Sequence, residues 1–572
     1  MDLSTLRHSC SHVMAQAVKE LWPDAKLGIG PSIDDGFYYD FDKKEPFEPQ
    51  DLEKIEGRMR EIVEKNIVFK REELSKSEAV KLFEKMGETY KLDLLREIPD
   101  DKVSIYKTGD GFLDLCRGPH IGSTGELKAF KLLSIAGAYW HGIETNPMLQ
   151  RIYGTVFENQ KDLDKYLTFL EEAKKRDHRK LGKELELFDI YHEQAGAGLV
   201  FYHPKGAVLR NILETYEKEE HLRRGYQMVV TPHVLKGSLW HTSGHMDYYR
   251  ENMYVFEIDD QEYAVKPMNC PGHILIYKSK LRSYRELPFR LFELGTVYRH
   301  EKSGVLHGLL RVRSFTQDDA HIFCLPEQVK SEIKDVIDFV FDAMKLFGFK
   351  DFKIELSTRP LKSIGTDEDW QLATRSLKES LEEKGLAFDI NEGDGAFYGP
   401  KIDIKLKDAI GRAWQCATIQ CDFALPEKFD LAYIASDGKE RRPVMLHRVI
   451  FGSLERFIGT LIEHYAGQFP LWLSPQQVVI IALKEDAEVF ARDVELQLKA
   501  KNIRVGLDAS SETLNKKIRN AELQKIPYML VIGGREAASG SVSVRSKAKG
   551  DLGVMKVGDF IERATQEIEQ KV

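Results

Sequence analysis

The chain has few cysteines, and they are not arranged as in a disulfide-bonded domain. Its 572 residues include six cysteines, and no two of them form a C-x-x-C pair. Sparse cysteine is typical of reducing compartments, so we expect a cytoplasmic protein. The N-terminal stretch MDLSTLRHSCSHVMAQAVKE lacks the apolar region of a secretory signal, and no apolar run approaches the length of a membrane span. The sequence therefore predicts no membrane association.

The most easily recognised nucleotide-binding loops are also missing. The sequence contains neither G-x-x-x-x-G-K-[ST] nor a G-x-G-x-x-G ahead of a helix, so a nucleotide would have to be held without a P-loop or a dinucleotide fold. The net charge of -8 does not indicate a nucleic-acid binder, although local basic patches decide that question. With 42% hydrophobic and 30% charged residues, this is an ordinary globular chain of roughly three or four domains.

Composition changes along the chain predict four parts. Residues 1–158 combine glycine turns and short alternating runs with one helical stretch, which predicts an α+β domain. Residues 159–180 are charged with apolar residues at helical spacing, which predicts a linker helix. Its cluster KKRDHRK is interpreted as a solvated face, with phosphate contact as the alternative. Residues 181–472 hold most long motifs, and residues 473–572 alternate apolar runs with helical stretches, which predicts an α/β domain with a largely parallel sheet.

One cysteine is distinguished by its neighbours. Cys270 lies in KPMNCPGHILIY, residues 266–277, beside a proline and a glycine. Free cysteine is often buried as a small hydrophobe. It can also serve as a nucleophile, or as one ligand of a metal whose other ligands are distant in sequence. The stretch alone leaves these three interpretations open.

An arginine-bearing segment, GTVYRHEKSGVLHGLLRVRSFTQDDAHIF, follows at residues 295–323. The alternation of Arg311, Arg313 and Phe315 predicts a strand, reached through a loop that contains Arg299 and Glu301. The planar guanidinium suits phosphate, and Phe315 is placed to stack on a base. The segment is therefore interpreted as a nucleotide clamp, with a salt-bridged surface hairpin as the alternative.

These segments together resemble the class II aminoacyl-tRNA synthetases, and within that class the threonyl-tRNA synthetase family. Motif 1 of the class resembles LRNILETYEKEEHLRRGYQMVVTPHVL with Pro232, motif 2 is the hairpin with Arg299 and Glu301, and motif 3 resembles GSLERF with Arg456. The threonyl assignment depends on MNCPGH, FTQDDAHIF, GDGAFYGPKI, AWQCATIQCDF and VMLHR. The resemblance implies an antiparallel-sheet catalytic core, preceded by an α+β editing domain and followed by an α/β anticodon-binding domain.

The resemblance also implies an active site that joins threonine to ATP, with Mg²⁺ accompanying ATP. It implies one zinc per chain, held by Cys270, His321 and His447. The remaining implied residues are Gln317, Asp319, Tyr398, Gln420 and Met268 for threonine, Arg299, Glu301, Arg311, Phe315, Gln415, Thr418, Ser453 and Arg456 for ATP, and Arg299, Arg456 and Lys401 for catalysis. Strand parity places Thr418 and Gln420 on one face and Gln415 on the other, so their convergence requires a β-bulge or loop.

A second His/Cys cluster lies near the N-terminus. The pairs His8 and His12 in RHSCSHVMA, and Cys116 and His120 in DLCRGPH, have the spacing of metal ligands and favour a second zinc on the residues alone. The resemblance implies an editing site that positions water without a required metal, built from His8, His12, Lys91, Asp114, Cys116 and His120. Such a site removes serine, because a missing methyl is worth only about 1–3 kcal/mol of discrimination.

The resemblance extends to partners. It implies tRNA(Thr) binding through Glu536 and Arg545, with Ser511 where an asparagine is often found and NKKIRNAELQK as a phosphate-facing patch. It implies a homodimer through residues 206–232, and a small ubiquitin-like domain expected ahead of the editing domain is missing from this sequence. A regulatory RNA- or ligand-binding protein on an inactive synthetase scaffold would require damage to Arg299, Arg456 or the three implied zinc ligands, and these are intact. A free-standing editing hydrolase does not explain the complete activation motifs.

Overall fold

The computed structural model describes residues 2–143, 145–408 and 410–571. The chain divides into two compact units, Met1–Glu171 and Glu172–Val572. Of the helices that are described, none is both long enough and apolar enough to cross a bilayer.

The first unit is α+β, as predicted, and combines helices with two antiparallel sheets. Its helices are α1 (Leu3–Leu21), α2 (Pro49–Glu64), α3 (Lys76–Met86), α4 (Thr89–Glu97) and α5 (Gln160–Arg176), the last of which contains the boundary between the units. Its strands are β1 (Lys26–Leu27), β2 (Ser32–Ile33), β3 (Gly36–Asp42), β4 (Phe69–Ser75), β5 (Lys102–Thr108), β6 (Phe112–Leu115), β7 (Ala129–Tyr139) and β8 (Met148–Phe157). The larger sheet has the order β1-β3-β8-β7, with β2 beside β3, and the smaller has the order β4-β5-β6.

Helix α1 is almost entirely enclosed. The carboxylate of Asp2 caps it by accepting hydrogen bonds from the backbone N–H groups of Ser4 and Thr5. From Leu6 to Val18 every residue of the helix is buried except His8, which is half-buried. Residues four apart share one helix face, so a buried helix brings His8 and His12 to the same place.

The second unit contains the remaining elements. Its helices are α6 (His178–Glu184), α7 (Pro204–Arg223), α8 (Gly237–Ser243), α9 (His245–Tyr248), α10 (Cys270–Lys278), α11 (Val329–Leu346), α12 (Asp367–Glu383), α13 (Ala424–Lys428), α14 (Leu454–His464), α15 (Glu485–Ala500), α16 (Leu514–Leu523), α17 (Gly534–Ser539) and α18 (Val557–Glu569). Its strands are β9 (Phe188–Asp189), β10 (Phe201–Tyr202), β11 (Gln227–Met228), β12 (Val234–Lys236), β13 (Tyr254–Ile258), β14 (Gln261–Val265), β15 (Arg282–Ser283), β16 (Phe289–Tyr298), β17 (Ser314–Cys324), β18 (Phe352–Ser357), β19 (Asp389–Asn391), β20 (Lys401–Lys407), β21 (Ala413–Asp422), β22 (Tyr433–Ile434), β23 (Glu440–Arg441), β24 (Val444–Val449), β25 (Val478–Ala482), β26 (Val505–Asp508), β27 (Tyr528–Ile532), β28 (Ser541–Ser546) and β29 (Gly550–Lys556).

A large sheet organises this unit, with the strand order β11-β16-β17-β24-β21-β20-β18-β19. The neighbours from β16 to β18 in this order are antiparallel, and only the outermost strands β11 and β19 pair in parallel. The antiparallel core expected from the sequence is therefore confirmed. Apolar side chains of α11, α12 and α14 pack with those of the sheet in one buried cluster.

Three elements differ from their sequence predictions. The strand expected from Arg311 begins only at Ser314, because Gly308 has φ +48° and Arg311 closes a tight turn on His307. The motif 1 strand is limited to Gln227–Met228 at a sheet edge. The linker helix is two helices, since α5 ends at Arg176 and the carboxylate of Asp177 caps α6.

The C-terminal sheet is only partly parallel. Its order is β26-β25-β27-β28-β29. The first three strands are parallel, whereas β28 and β29 are antiparallel to their neighbours. The prediction of a largely parallel sheet is wrong for this half. Helix α17 is too short for a crossover that returns the chain to a parallel direction, which needs about a dozen residues.

Candidate functional site

A cavity of about 510 Å³ opens in the second unit. It collects residues from the central sheet strands, from α10 and from the start of α14. The residues predicted from the sequence that line it are Met268, Cys270, Arg299, Phe315, Gln317, Asp319, Tyr398, Lys401, Gln415, Thr418, Gln420, His447, Ser453 and Arg456. A volume of this size falls in the range of roughly 300–1,000 Å³ that is usual for small-molecule sites.

Strand β17 supplies one wall of the cavity by simple alternation. Phe315, Gln317 and Asp319 line the cavity, and His321 continues the same alternation. Successive side chains of a strand point to opposite faces, so all four share one face. The period of two in FTQDDAH therefore determines the order of functional groups along the wall.

Two distant histidines become neighbours through the sheet register. His321 on β17 pairs directly with His447 on β24. Cys270 reaches the same point from the first turn of α10, and the ligand atoms of the three residues lie within 4.8 Å of one another. All three side chains are buried. Antiparallel pairing thus makes two histidines that are 126 residues apart in sequence direct neighbours in the sheet.

The hydrogen bonds around these histidines leave two nitrogen lone pairs facing each other. Nε2 of His447 lies 2.8 Å from Oδ2 of Asp422 and donates to it, which leaves the lone pair on Nδ1. Nδ1 of His321 lies 2.8 Å from Nδ1 of His273, whose Nε2 lies 3.1 Å from Oε2 of Glu293. With one proton on each imidazole, His273 donates to Glu293 and His321 donates to His273.

This protonation pattern fits a metal. Nε2 of His321 and Nδ1 of His447 are then both unprotonated and only 3.0 Å apart. Two lone pairs at that distance repel unless a cation lies between them. Tetrahedral zinc with Zn–N bonds of about 2.0–2.1 Å separates two nitrogens by roughly 3.3 Å. Burial also lowers the pKa of His321 well below its usual value, so the neutral, metal-binding form is favoured.

Arginines and an aromatic ring form another side of the cavity. The guanidinium of Arg299 lies 5.1 Å from the ring centre of Phe315, and its Nε donates to the carbonyl of Pro267 at 3.2 Å. Nε of Arg456 donates to the carbonyl of Leu310 at 3.2 Å. Arg299 and Arg456, which were both predicted to contact ATP, line the same cavity. Each presents a charged group beside an aromatic or backbone wall.

Two predicted ATP residues lie outside the cavity lining. Glu301 and Arg311 form an ion pair in which Nε of the arginine lies 3.0 Å from Oε2 of the glutamate. The side chain of Arg311 is 52% exposed. Both residues belong to the loop between β16 and β17, residues 299–313, which we call the motif 2 loop.

The bulge required for convergence is present in β21. Ala417 pairs with Ile404, but Gln415 pairs with the next residue, Lys405, so one residue of β21 is skipped. As a result the side chains of Gln415 and Thr418 both reach Oδ1 of Asp403, at 2.7 and 2.8 Å. The carboxylate of Asp403 holds together two residues that strand parity alone would separate.

Lys401 is held by the same carboxylate. Its Nζ lies 2.7 Å from Oδ2 of Asp403 and 3.2 Å from Oδ2 of Asp394. The pKa of Lys401 is raised, because burial, which lowers it, is outweighed by the two neighbouring carboxylates. The ammonium is therefore charged while it borders the cavity.

The end of the cavity near Cys270 is rich in polar groups. Oδ2 of Asp319 accepts from Nδ2 of Asn269 at 3.0 Å, and burial raises the pKa of the Asp319 carboxyl. The hydroxyl of Tyr398 donates to Oε1 of Gln420 at 2.8 Å. These groups can fix the orientation of a small polar ligand beside the histidines.

The first unit brings the N-terminal His/Cys residues together as well. The ligand atoms of His8, His12, Cys116 and His120 all lie within 4.8 Å of one another. We call these four residues the N-terminal cluster. Nδ1 of His8 donates to the carbonyl of Pro119, and Nδ1 of His120 donates to the hydroxyl of Ser9, which itself donates to Thr5. The Nε2 lone pairs of both histidines therefore point to the thiol of Cys116, at 3.4 and 3.3 Å.

Beside the N-terminal cluster lies a buried charged pair. Nζ of Lys91 is 2.6 Å from Oδ1 of Asp114, and the hydroxyl of Tyr39 bridges the two by accepting from Lys91 and donating to Asp114. Both charged side chains are about 2% exposed. Nε2 of His12 lies 3.8 Å from Oδ2 of Asp114. The structure thus assembles all six residues predicted for this site.

Burial determines the protonation of the N-terminal cluster. It lowers the pKa of His120 to about 2 and that of His12 well below its usual value. It raises the pKa of Cys116 to about 12, so the thiol keeps its proton and is a poor nucleophile. Neutral imidazoles can accept hydrogen bonds from water, and they can also bind a metal.

The predicted anticodon residues lie in the C-terminal α/β part. Glu536 is in the first turn of α17 and accepts a hydrogen bond from the backbone of Gly533 at 2.9 Å. Arg545 is on β28, and Ser511 is exposed ahead of α16. One expectation for α16 is wrong: Lys517 is buried and donates to the carbonyls of Ala482 and Asp508, so it does not face solvent.

Sequence reasoning missed several residues of the main cavity. Tyr249, Asp394 and Phe397 line it, and Nε2 of His245 lies 3.0 Å from the sulfur of Met268. Burial lowers the pKa of His245 to about 3. The segment GDGAFYGPKI contains two of these residues and was the available signal, whereas nothing in the sequence around Tyr249 or His245 indicates a site.

Three family models match the chain. The tRNA synthetase class II core domain (G, H, P, S and T) matches residues 254–465, and the anticodon binding domain matches residues 477–567. The threonyl and alanyl tRNA synthetase second additional domain matches residues 103–153.

Similar proteins span nearly the whole chain. Threonine–tRNA ligase of Pelobacter propionicus is 59% identical over 565 residues, which cover 99% of this chain and 88% of that protein. Threonine–tRNA ligase of Carboxydothermus hydrogenoformans is 59% identical over 566 residues, which cover 99% and 89%. Among solved structures, the RNA binding domain of threonyl-tRNA synthetase from Cryptosporidium parvum Iowa II is 42% identical with a TM-score of 0.66, and the match covers 68% of this chain and 98% of that chain.

Proposed function

The chain belongs to the threonyl-tRNA synthetase family, and we propose on that basis that it is a threonine–tRNA ligase with an editing activity. The observation that carries the proposal is the cluster of Cys270, His321 and His447. Two of its members, Cys270 and His447, line the same cavity as Arg299 and Arg456. One end of this cavity suits a small amino acid, and the other suits phosphates.

In the first step the carboxylate of threonine attacks the α-phosphate of ATP in line, and pyrophosphate leaves. Arg299 stabilises the charge that develops on the α-phosphate, and Arg456 holds the outer phosphates, both from fixed positions on the cavity wall. Phe315 offers an apolar face to the base. Glu301 and Arg311 pair with each other beside the cavity and would contact ATP from there. Mg²⁺ would accompany the ATP phosphates.

Discrimination against valine would explain a metal at this site. Cys270, His321 and His447 would hold one zinc, and three protein ligands leave open positions for a substrate. Bound zinc would supply a Lewis-acid centre for the amino and hydroxyl groups of threonine, and valine lacks the second of these. Asp319, Tyr398 and Gln420 orient the same end of the substrate from the surrounding walls.

In the second step the threonyl group passes to the terminal ribose of tRNA(Thr). Lys401, Gln415 and Thr418 converge on Asp403 at the edge of the cavity. Their placement suits contact with the adenosine of the adenylate and of the tRNA end. Glu536 and Arg545 in the C-terminal part would contact the anticodon.

The N-terminal cluster would hydrolyse seryl-tRNA(Thr). The lone pairs of neutral His8, His12 and His120 can orient water by accepting its hydrogen bonds. His8, whose pKa is lowered less than that of the other two, can accept the proton of the water, and the ammonium of Lys91 can stabilise the developing oxyanion. The raised pKa of the Cys116 thiol argues against a covalent route. This chemistry requires no metal, and we propose that the N-terminal cluster works without one.

We further propose a cytoplasmic homodimer that pairs through residues 206–232. The support is a group of exposed apolar residues around the motif 1 strand, with Met228, Val230 and Val234 exposed by 52%, 83% and 46%.

We also propose four functional parts along the chain. They are an editing domain (residues 1–158), a linker (159–180), a catalytic domain (181–472) and an anticodon-binding domain (473–572).

Pyrophosphate exchange into ATP, measured separately with each of the twenty amino acids, tests the proposal. We expect exchange with threonine, weak exchange with serine, and loss of exchange in Arg299→Ala. Arg285→Ala, which removes an exposed arginine outside the cavity, is the matched control and should keep the activity. Exchange that depends on another amino acid and is absent with threonine would contradict the proposal.

A further inference from the structure

The cluster KKRDHRK contains a histidine that is neither solvated nor free to contact phosphate. His178, the first residue of α6, is completely buried. Its side chain lies against the motif 2 loop, and its ring centre is 5.7 Å from that of His307 in the loop. Both interpretations of this cluster from the sequence are therefore wrong for His178.

The contacts of His178 fix its tautomer. The backbone N–H of Leu309, which can only donate, points to Nε2 of His178 at 3.0 Å. Nε2 must therefore accept, and Nδ1 carries the proton. Nδ1 lies 2.6 Å from Oε1 of Glu463, which also accepts from the backbone N–H of His178 at 3.1 Å. Each polar atom of the imidazole thus has one defined partner.

Glu463 is itself held in place. It lies in the last turn of α14, and its other oxygen is 2.5 Å from Nη2 of Arg412. The guanidinium of Arg176 donates to the carbonyls of Glu463 and His464 at the end of the same helix. Both His178 and Glu463 are buried, so the pair acts as a rigid support.

The motif 2 loop is shaped to meet this support. Gly308 has φ +48°, and a Cβ added there would lie 2.1 Å from Nε2 of His178. Next to Leu309 in the loop, the carbonyl of Leu310 accepts a hydrogen bond from Nε of Arg456. Arg456 is on the same helix as Glu463. Two adjacent residues of the loop are therefore attached to α14, one directly and one through the imidazole.

We propose that His178 is a positioning residue that sets the motif 2 loop for ATP. This inference rests on the proposed function, because it assigns the loop to ATP binding. Without the acceptor on His178, the buried N–H of Leu309 loses its partner, and the turn that carries Arg311 is no longer held at its base. The loss should weaken ATP binding and leave the threonine end of the cavity unchanged.

Two amide substitutions separate the two hydrogen bonds of the imidazole. In His178→Asn the amide N–H can replace Nδ1 and donate to Glu463, but the side chain is too short to accept from Leu309. In His178→Gln the terminal atom of the side chain reaches the position of Nε2 and can accept from Leu309. Val340→Ala, which truncates a fully buried side chain on α11, serves as the control for general loss of stability.

The full-length protein is compared in threonine-dependent pyrophosphate exchange. We expect His178→Asn to raise the KM for ATP on the order of tenfold, as for one unpaired buried donor, with the KM for threonine unchanged. His178→Gln should recover most of the difference, and Val340→Ala should not change the ratio of the two KM values. Equal increases in both KM values for His178→Asn, or no difference between Asn and Gln, would overturn the proposal.

Hydrogen–deuterium exchange gives a readout that does not depend on activity. Peptides that contain residues 303–313 should exchange faster in His178→Asn than in wild type, and peptides from α11 should not. Unchanged exchange in the loop would overturn the proposal even if activity falls. The proposed function is tested separately by the wild type. If the wild type shows no threonine-dependent pyrophosphate exchange, the ligase assignment is contradicted, and the hydrogen–deuterium exchange result still decides the role of His178 in the loop.

The variant Gly308→Ala is used if His178→Asn does not fold, because it disturbs the same contact from the loop. It should raise the KM for ATP selectively, and an equal rise in the KM for threonine would overturn the proposal.

Discussion

Oδ2 of Asp422 accepts a hydrogen bond from Nε2 of His447 at 2.8 Å, and its Oδ1 accepts from the backbone N–H groups of Ala424 and Leu425. The carboxylate of Asp422 therefore binds the first two N–H groups of helix α13 and also fixes the tautomer of a proposed zinc ligand. The lone pair on Nδ1 of His447 faces His321 only because Asp422 holds the proton on the other nitrogen.

From this relationship we predict that Asp422→Asn lowers zinc affinity by roughly 10–100-fold, the usual effect of losing a partner of a metal-bound histidine. Competition with a fluorescent zinc chelator measures the affinity. Asp437→Asn is the matched control, because Asp437 also caps a backbone N–H and pairs with an arginine, but on the surface. Equal affinities for the two variants would contradict the prediction.

Replacement of a ligand has a larger effect. We predict that Cys270→Ala removes the zinc and abolishes threonine activation, since a site that loses one of three ligands is incomplete. Cys324→Ala, a buried cysteine outside the cavity, should keep both. Elemental analysis should give about one zinc per chain from a single three-ligand site. Two tightly bound zincs per chain would overturn the metal-free proposal for the N-terminal cluster.

Much of the fold follows from patterns within short windows of sequence. The alternation in FTQDDAH predicts which residues of β17 share a face, and the spacing of His8 and His12 predicts a shared helix face. The convergence of Gln415 with Thr418 required a bulge, and the register of β20 and β21 contains it. These features depend only on the geometry of one strand or one helix.

Other features depend on contacts between distant segments. The pairing of His321 with His447 and the approach of Cys270 depend on sheet register, and only the family resemblance indicated them. The burial of His178 and Lys517 could not be predicted either, because each lies in a strongly charged stretch and is buried by partners elsewhere in the chain. Charge density within a segment does not identify the one charged or polar residue that turns inward.

The two His/Cys clusters should be separable by mutation. We predict that replacing His8 and His12 together by glutamine leaves threonine activation intact and lets seryl-tRNA accumulate, because both residues belong to the N-terminal cluster and not to the cavity with Cys270. Deacylation of preformed seryl-tRNA measures the defect. His141→Gln, at a partly exposed histidine of the same unit, should clear it normally. Normal clearance by the double variant would remove the editing assignment.

The proposed homodimer predicts a specific surface defect. Val230→Glu should shift the protein from dimer to monomer, because a charge in a buried interface lacks a partner. Light scattering at micromolar concentration measures the mass. Val489→Glu is the control, since that valine is 80% exposed, close to the 83% of Val230, but lies on α15. A wild type that is only monomeric would contradict the proposal.

Acid should destabilise the protein through the N-terminal cluster. The folded-state pKa of His120 is lowered by burial to about 2, so between pH 6.5 and pH 2 the unfolded chain binds a proton that the folded chain does not. Stability therefore rises with pH in this window and is progressively lost as the pH falls below 6.5. The loss for one such histidine approaches roughly 1.4 kcal/mol per pH unit. Burial lowers the pKa of His8 and His12 too, which adds to the loss in the same direction.

Glutamine at position 120 isolates this contribution, since it is polar and does not titrate. We expect the free energy of unfolding of His120→Gln, measured in urea at pH 7, 6 and 5, to fall less steeply than that of wild type, by about 1 kcal/mol per unit below pH 6. His241→Gln removes a histidine whose side chain is 61% exposed, and it should leave the slope unchanged. Identical slopes for His120→Gln and wild type would mean that His120 takes up its proton as readily in the folded protein as in the unfolded chain. The neutral imidazole required to orient water at the N-terminal cluster would then be absent at low pH.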